Sequence, residues 1–424
     1  MKILATGDWH LGNLFHGNDR LPEHKHFFRW LLDRIQEHSP DAILVSGDVF
    51  DNGNPSASAQ SAYYDFLADA TATCPGMQII ITSGNHDSAS RLEAPRPMLS
   101  RHNVEIRGEL HRTWNKETNA WEIDMDDLMI PLGKEQETIV LAVPYIRSDM
   151  VHGTSYSSGV VHFLKDLTRK ARQNYPQSNI VMMAHMYAKG AYIADNDASE
   201  KIIIGGQEEV CIEEWTNHPD YMTCGHIHKR QHIRNTDWAR YSGSILPMSF
   251  AETDYRHGVD MVILEKGKRP KVEFLEYTPQ HRLHLIPEDD SALSINEIKN
   301  RINRELAPRG INGKLSDTFE YVAIKVKLDK PGGDAVSELE TLIATKDAVL
   351  CKIQKVMPGS GLTTAYGHKS ITSVEDILRR DPLETIKETF AVRHETDMSE
   401  HQEKMLKELL AEMSSNIQEM CSKN

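Results

Sequence analysis

The chain has 424 residues, room for two or three domains at roughly 150 residues each, and its 48 Lys plus Arg against 62 Asp plus Glu give a formal charge of −14. That balance excludes a protein that coats nucleic acid through bulk positive charge, while leaving room for a local basic groove or for metal ions that supply the charge. A content of 39% hydrophobic and 26% charged residues is too apolar for wholesale disorder.

In chain order, Ile3-Leu4-Ala5-Thr6 leads to Gly7-Asp8, and Ile43-Leu44-Val45-Ser46 leads to Gly47-Asp48. Ile79-Ile80-Ile81-Thr82-Ser83 leads to Gly84-Asn85-His86-Asp87, and Ile180-Val181-Met182-Met183-Ala184 leads to His185. Buried strands ending in a ligand-type residue, most of them after a Gly, place that residue at the carboxyl edge of an α/β sheet, where such sheets bind ligands. Between them Phe27, Trp30, Leu31 and Ile35, and then Tyr63, Phe66 and Leu67, recur at helical spacing and read as core. Arg107 to Leu132 reads as a hairpin with a polar tip, and runs at Met261–Glu265 and Val272–Glu276 close a first domain near Gln280. A capping box at Ser294-Ile295-Asn296-Glu297 opens a helix carrying Ile298, Ile302 and Leu306. Val322, Ile324, Val326 and Leu328 alternate as a strand, with Val349 to Val356 as its partner. The Pro358–Gly361 stretch breaks the pattern before an acidic helical tail. There a second capping box at Ser399 precedes an apolar stripe of Leu406, Leu409, Leu410, Met413, Ile417 and Met420. No apolar run approaches the ~20 residues that span a bilayer, and the N-terminal run is too short for a signal-peptide core. Five scattered cysteines suit neither a disulfide framework nor a zinc knuckle, so the expectation is a soluble, cytoplasmic protein.

Asp8-Trp9-His10, Gly47-Asp48, Gly84-Asn85-His86-Asp87, Ala184-His185 and Gly225-His226-Ile227-His228 together supply two carboxylates, an amide oxygen and at least four imidazoles. Mixed oxygen and imidazole donors suit Mn²⁺, Fe or Zn²⁺ better than Ca²⁺ or Mg²⁺. Seven or eight donors exceed one ion's needs and fit two ions ~3.5–4 Å apart that share a carboxylate, the arrangement used for in-line attack on phosphate esters. Any single His among the 21 is more often a surface residue; the ordered series is what carries the reading. Lys229, Arg230, Arg234 and Arg240 follow the last of these motifs, either as a basic loop that positions a nucleic-acid backbone or as solvated charge on a strand end. Gly361 to Ser370 mimics a phosphate loop with the wrong spacing, so any ATP dependence belongs to a partner.

The D-x-H, G-D, G-N-H-D, H and G-H-x-H series resembles the calcineurin-like metallophosphoesterases. Asp8 to Gly12, Gly47 to Asp51, Gly84 to Ser88, Gly225 to Lys229, Tyr241 to Ser244 and Pro247 to Phe250 are further similar to the SbcD family, the nuclease subunits of bacterial SbcCD exonucleases. The resemblance implies an α/β sandwich of two β-sheets flanked by helices over 1–280, a small α/β cap domain over 281–372, and a helical tail over 373–424 that binds an ATPase partner. It implies that Asp8, His10, Asp48 and His228 hold one ion and that Asp48, Asn85, His185 and His226 hold the other, both Mn²⁺, with Asp48 bridging. His86 would face the scissile phosphate, steadying its charge or assisting the leaving 3′ oxygen. Asp87 would either partner His86 or stabilise the local turn. The implied activity is double-strand exonuclease and single-strand or hairpin endonuclease on DNA, in repair, recombination and replication. The implied partner is the SMC-like ATPase SbcC, bound by Leu406, Leu409, Leu410 and Met413, with a homodimer inside a heterotetramer. A small-molecule phosphatase or cyclic-nucleotide phosphodiesterase on the same fold is the alternative.

Overall fold

The computed structural model describes residues 1–356 apart from 117, 152, 194–208, 214, 290, 311 and 329–332, with the backbone alone for 333–335. The apolar runs of the first half are buried strands that sort into two six-stranded sheets. The first sheet runs in the order Lys271–Tyr277, His257–Ile263, Lys2–Thr6, Ala42–Ser46, Gln78–Thr82 and Val104–Arg107. Its last four strands are parallel, and His257–Ile263 joins them antiparallel with Lys2 opposite Ile263. The second sheet is ordered Gln231–His232, Ala239–Tyr241, Tyr221–Gly225, Asn179–His185, Thr138–Ala142 and Met129–Leu132, with four parallel strands at its centre.

Parallel strands need both faces covered, and each sheet meets that need with helices on one side and the other sheet on the other. Ile3, Ala5, Leu44, Ile80, Val140, Val181 and Met183 form the dry layer between the sheets. Helices Leu21–His38 and Ala57–Thr73 cover the first sheet with Phe27, Leu31, Ile35, Tyr63, Phe66 and Leu67. Helix Tyr156–Asn174 covers the second with Val160, Phe163, Leu164 and Leu167. The expected two-sheet sandwich flanked by helices is therefore the architecture formed, and its parallel strands bring the predicted ligand residues to their carboxyl ends.

The stretch expected as one hairpin from Arg107 to Leu132 is divided differently. Val104–Arg107 belongs to the first sheet and Met129–Leu132 to the second, and the hairpin itself is confined to Arg112–Asn115 paired with Ala120–Ile123. Each flanking strand has a buried apolar neighbour to pair with, so the apolar residues at the ends are drawn into the two cores. The capping box at Ser294 forms as read, with Ser294 and Glu297 exchanging hydrogen bonds at the start of helix Ile295–Glu305. A three-stranded sheet of Leu283–Ile286, Glu320–Lys327 and Ala348–Val356 accompanies that helix and helix Gly333–Ile343. Tyr321 of this sheet lies 5.1 Å from the Phe15 ring, and the buried Arg20–Glu23 pair sits beside both. Met1–Val326 and Gly332–Gln354 form one compact unit. The second unit comprises Lys327–Pro331 with Lys355–Asn424, and the expected tail with its apolar stripe lies outside the described residues. Among the described residues no helix is long and apolar enough to cross a membrane.

Candidate metal centre

The loops that leave Lys2–Thr6 and Ala42–Ser46 run side by side, joined by hydrogen bonds from Asp8 N to Gly47 O, His10 N to Asp48 O and Leu11 N to Val49 O. This pairing bends the chain sharply. Asp8, His10 and Asp48 all adopt left-handed backbone, at φ 50°, 48° and 47°, and His226 does so at φ 97°. Such conformations cost of order 1–3 kcal/mol each in non-glycine residues and persist where surrounding structure enforces them. Gly47 lies in the same bend at φ 84°, where a Cβ would collide with the His185 ring, so glycine is required for both reasons.

The bends bring seven donors from both sheets to one place. Asn85 Oδ1 is 2.9 Å from His185 Nε2 and 2.9 Å from His226 Nδ1, and His185 Nε2 is 3.3 Å from Asp48 Oδ2. Donors bound to one ion at about 2.1 Å, and at right angles to one another, stand about 3 Å apart, so this spacing fits a metal shell. His10 Nε2 lies 3.8 Å from Asp48 Oδ2 on the other side, and the rings of His10 and His228 meet edge to face at 5.2 Å. Donor atoms of Asp8, Asp48 and His185 fall within 4.8 Å of one another, as do those of His10, Asp48 and His86. Asp48 belongs to both groups. Asp8 Oδ2 and His10 Nε2 are buried without a hydrogen bond, a costly state for polar atoms unless a cation completes them, while His10 Nδ1 has the Asp51 carboxylate 3.5 Å behind it. The residues present therefore fit divalent metal ions.

Electrostatics agree. Burial opposes ionisation of Asp48, but the adjacent His185, with His10 and His86, holds its carboxyl well below the usual range. Burial likewise works against charge on His185, yet Asp48 and Asp8 raise it to about 9. Burial and the neighbouring His185 push His226 down to about 3. The free centre thus keeps a proton on His185 that an entering cation must displace. Histidine orientation is set from behind. His185 Nδ1 donates to the Ser46 carbonyl at 3.0 Å, leaving Nε2 for an ion, and His228 Nδ1 is 3.0 Å from Glu252 Oε1.

Asp8, His10, Asp48, His185 and His228 are buried, whereas Asn85, His86 and His226 are half-buried and form the open rim. His86 donates its backbone N–H to Asp48 Oδ1 at 2.8 Å, and its Nδ1 is 2.9 Å from the Asp51 carbonyl. A carbonyl can only accept, so Nδ1 carries a proton and Nε2 is the exchangeable position. Of the two roles open for Asp87, the hydrogen bonds favour the turn. Its carboxylate accepts from Gly84, Val49 and Phe50 backbone N–H groups, and burial followed by Asp48 raises it to about 6.

The basic stretch is partly engaged within the chain. Arg230 is 2.7 Å from the buried Asp260 and covers the Phe274 ring at 4.4 Å, and Arg240 lies 3.6 Å from the same carboxylate. Lys229 Nζ sits 3.9 Å over Tyr192 and 5.1 Å over Tyr255, while Arg234 is exposed. Sequence reading passed over Glu252 and the carbonyl of Asp51, because no spacing rule links either to the histidine it meets.

Residues 1–230 match the family model for calcineurin-like phosphoesterases. The chain is 29% identical over 386 residues to the SbcD component of the SbcCD nuclease of Rhodobacter capsulatus, spanning 88% of this chain and 91% of that one. It is 30% identical over 288 residues to the Escherichia coli K12 counterpart, spanning 65% and 68%, and 28% identical over 273 residues to that of Bacillus subtilis, spanning 63% and 67%.

Proposed function

Because the chain belongs to the calcineurin-like phosphoesterases, and among them to the SbcD components of SbcCD nucleases, we propose that it is a Mn²⁺-dependent DNA nuclease subunit working with an SbcC-type ATPase. The observation that carries this reading is the convergence of mixed oxygen and imidazole donors on Asp48 from both sheets. Asp8, His10, Asp48 and His228 would hold one ion, and Asp48, Asn85, His185 and His226 the other. Divalent ions in such a shell supply Lewis acidity toward phosphate and lower the pKa of water.

The chain's own groups do the rest. Asp48 holds the Asn85–His86 loop against its own by accepting the His86 backbone N–H. His86 is fixed through Nδ1–H by the Asp51 carbonyl, and only in its doubly protonated form would it carry an Nε2 proton to give to the leaving 3′ oxygen, itself then remaining as the neutral Nδ1–H imidazole. Lys229, Arg230 and Arg234 contribute phosphate contacts without reading sequence, Arg230 through donors not used by Asp260. The division into 1–280, 281–372 and 373–424 assigns these tasks to the nuclease domain. The Leu406, Leu409, Leu410 and Met413 stripe would dock on the ATPase, with the chain as a homodimer within a cytoplasmic heterotetramer. The test is cleavage of linear duplex and hairpin DNA by purified protein with Mn²⁺, with and without the ATPase. Metal-dependent cleavage of duplex ends is the expected result. Hydrolysis confined to small phosphate esters under both conditions would overturn the proposal.

A further inference from the structure

We propose that Glu252, a residue outside the ligand set, is a positioning residue that grips His228 through Nδ1 and so presents Nε2 to the ion. The inference rests on the reading of His228 as a ligand and deepens it. Glu252 is fully buried in the turn Phe250–Glu252, a placement that is costly for a carboxylate unless its oxygens are well paired. Oε1 is 3.0 Å from His228 Nδ1, and Oε2 accepts from the Met248 backbone N–H at 2.8 Å. A neutral imidazole has one N–H, and the partner of one nitrogen decides which nitrogen is left to bind metal.

The segment that carries Glu252 is wrapped around His228 at two further points. Ser244 N donates to the His228 carbonyl at 2.9 Å. Gly243 passes the same carbonyl with φ 79°, where a Cβ would come within 2.7 Å of its oxygen. Backbone and ring of this one histidine are therefore both held from residues 243–252. A residue needed only to close its own turn would require the Met248 contact and not the His228 contact. His185 has a backbone carbonyl behind its Nδ1, so among the described contacts the carboxylate backing distinguishes His228 from it.

The experiment uses the full chain and its Glu252→Ala, Glu252→Gln and His228→Ala variants, with Mn²⁺ as the probe. Binding is measured for each of two ions by titration calorimetry and by electron paramagnetic resonance of free Mn²⁺. Unfolding temperature is recorded in chelator and in Mn²⁺. Glu252→Ala should weaken one ion about 10–100-fold and leave the other within about threefold. Glu252→Gln should fall between, because a single amide oxygen can serve His228 or Met248 and not both. Saturating Mn²⁺ should restore turnover, and the rise in unfolding temperature that Mn²⁺ produces should shrink. Unchanged affinities, or a loss of stability in chelator with an undiminished Mn²⁺ effect, would make Glu252 merely structural. If His228→Ala itself leaves both ions unaffected, the ligand assignment fails instead. Should the Glu252 variants not fold, ¹⁵N-histidine spectra of the wild-type chain loaded with Zn²⁺ decide. The His228 signal, identified by its absence in His228→Ala, must report Nδ1–H, and an Nε2–H signal overturns the proposal.

Discussion

Replacing Asp48 by asparagine removes one negative charge and no bulk, and it tests whether both ions depend on one carboxylate. The amide oxygen can still accept the His86 N–H now bound at 2.8 Å, so the rim loop keeps its anchor. What changes is the oxygen that faces His185 at 3.3 Å and His10 at 3.8 Å, one histidine from each proposed shell. Two unit charges 4 Å apart interact by about 4 kcal/mol at an effective dielectric of 20, hence about 8 kcal/mol for a doubly charged ion. Even a quarter of that, about 2 kcal/mol, weakens binding by roughly 30-fold. The loss applies to both ions, whereas Asp8→Asn should weaken one. Elemental analysis after desalting counts retained metal, duplex cleavage reports activity, and circular dichroism confirms the fold. Asp48→Asn should retain neither ion and show no cleavage. Two ions at full occupancy in that variant would refute the bridging role.

Four further outcomes are expected. His86→Asn should keep its metal yet cleave about 10²–10⁴-fold more slowly, and a rate within a few-fold of wild type would exclude proton donation. Because Asp48 and Asp8 outweigh burial in raising His185 to about 9, its proton is present at pH 7 and must leave on loading. Metal affinity should therefore rise with pH up to about 9, and proton release on adding Mn²⁺ to weakly buffered protein checks the sign. Joint replacement of Lys229 and Arg234 by alanine should weaken DNA binding at low salt and flatten its salt dependence, and an unchanged slope would assign these residues to the surface alone. Truncation after Arg393 should leave a folded, metal-loaded enzyme that no longer co-purifies with the ATPase. Unfolding, or stoichiometric co-purification, would place the tail helix in this chain's own core.

Much of the fold and most of the candidate centre were legible in the sequence because the relevant signals are local. A buried strand followed by a sharp turn and a ligand-type side chain is written in consecutive residues, as in Leu44 to Asp48 and Ile81 to His86. Parallel packing then carries those ends to the same edge of each sheet. The capping box at Ser294 is equally local, and it forms as read. Other features depend on which surfaces meet. The ends of the expected hairpin went to two different sheets because each found a buried partner strand. Asp87 took the turn role because Val49 and Phe50, far away in sequence, bring their N–H groups to it. Arg230 reads as a free cation until Asp260, thirty residues on, is found buried beneath it. Glu252 has no motif at all, and its role exists only through the wrap of residues 243–252 around His228. Residue types and strand ends therefore determine which atoms can bind metal. Long-range packing decides how each is oriented and which charges remain available, because hydrogen bonds across such separations form only once the two sheets have closed.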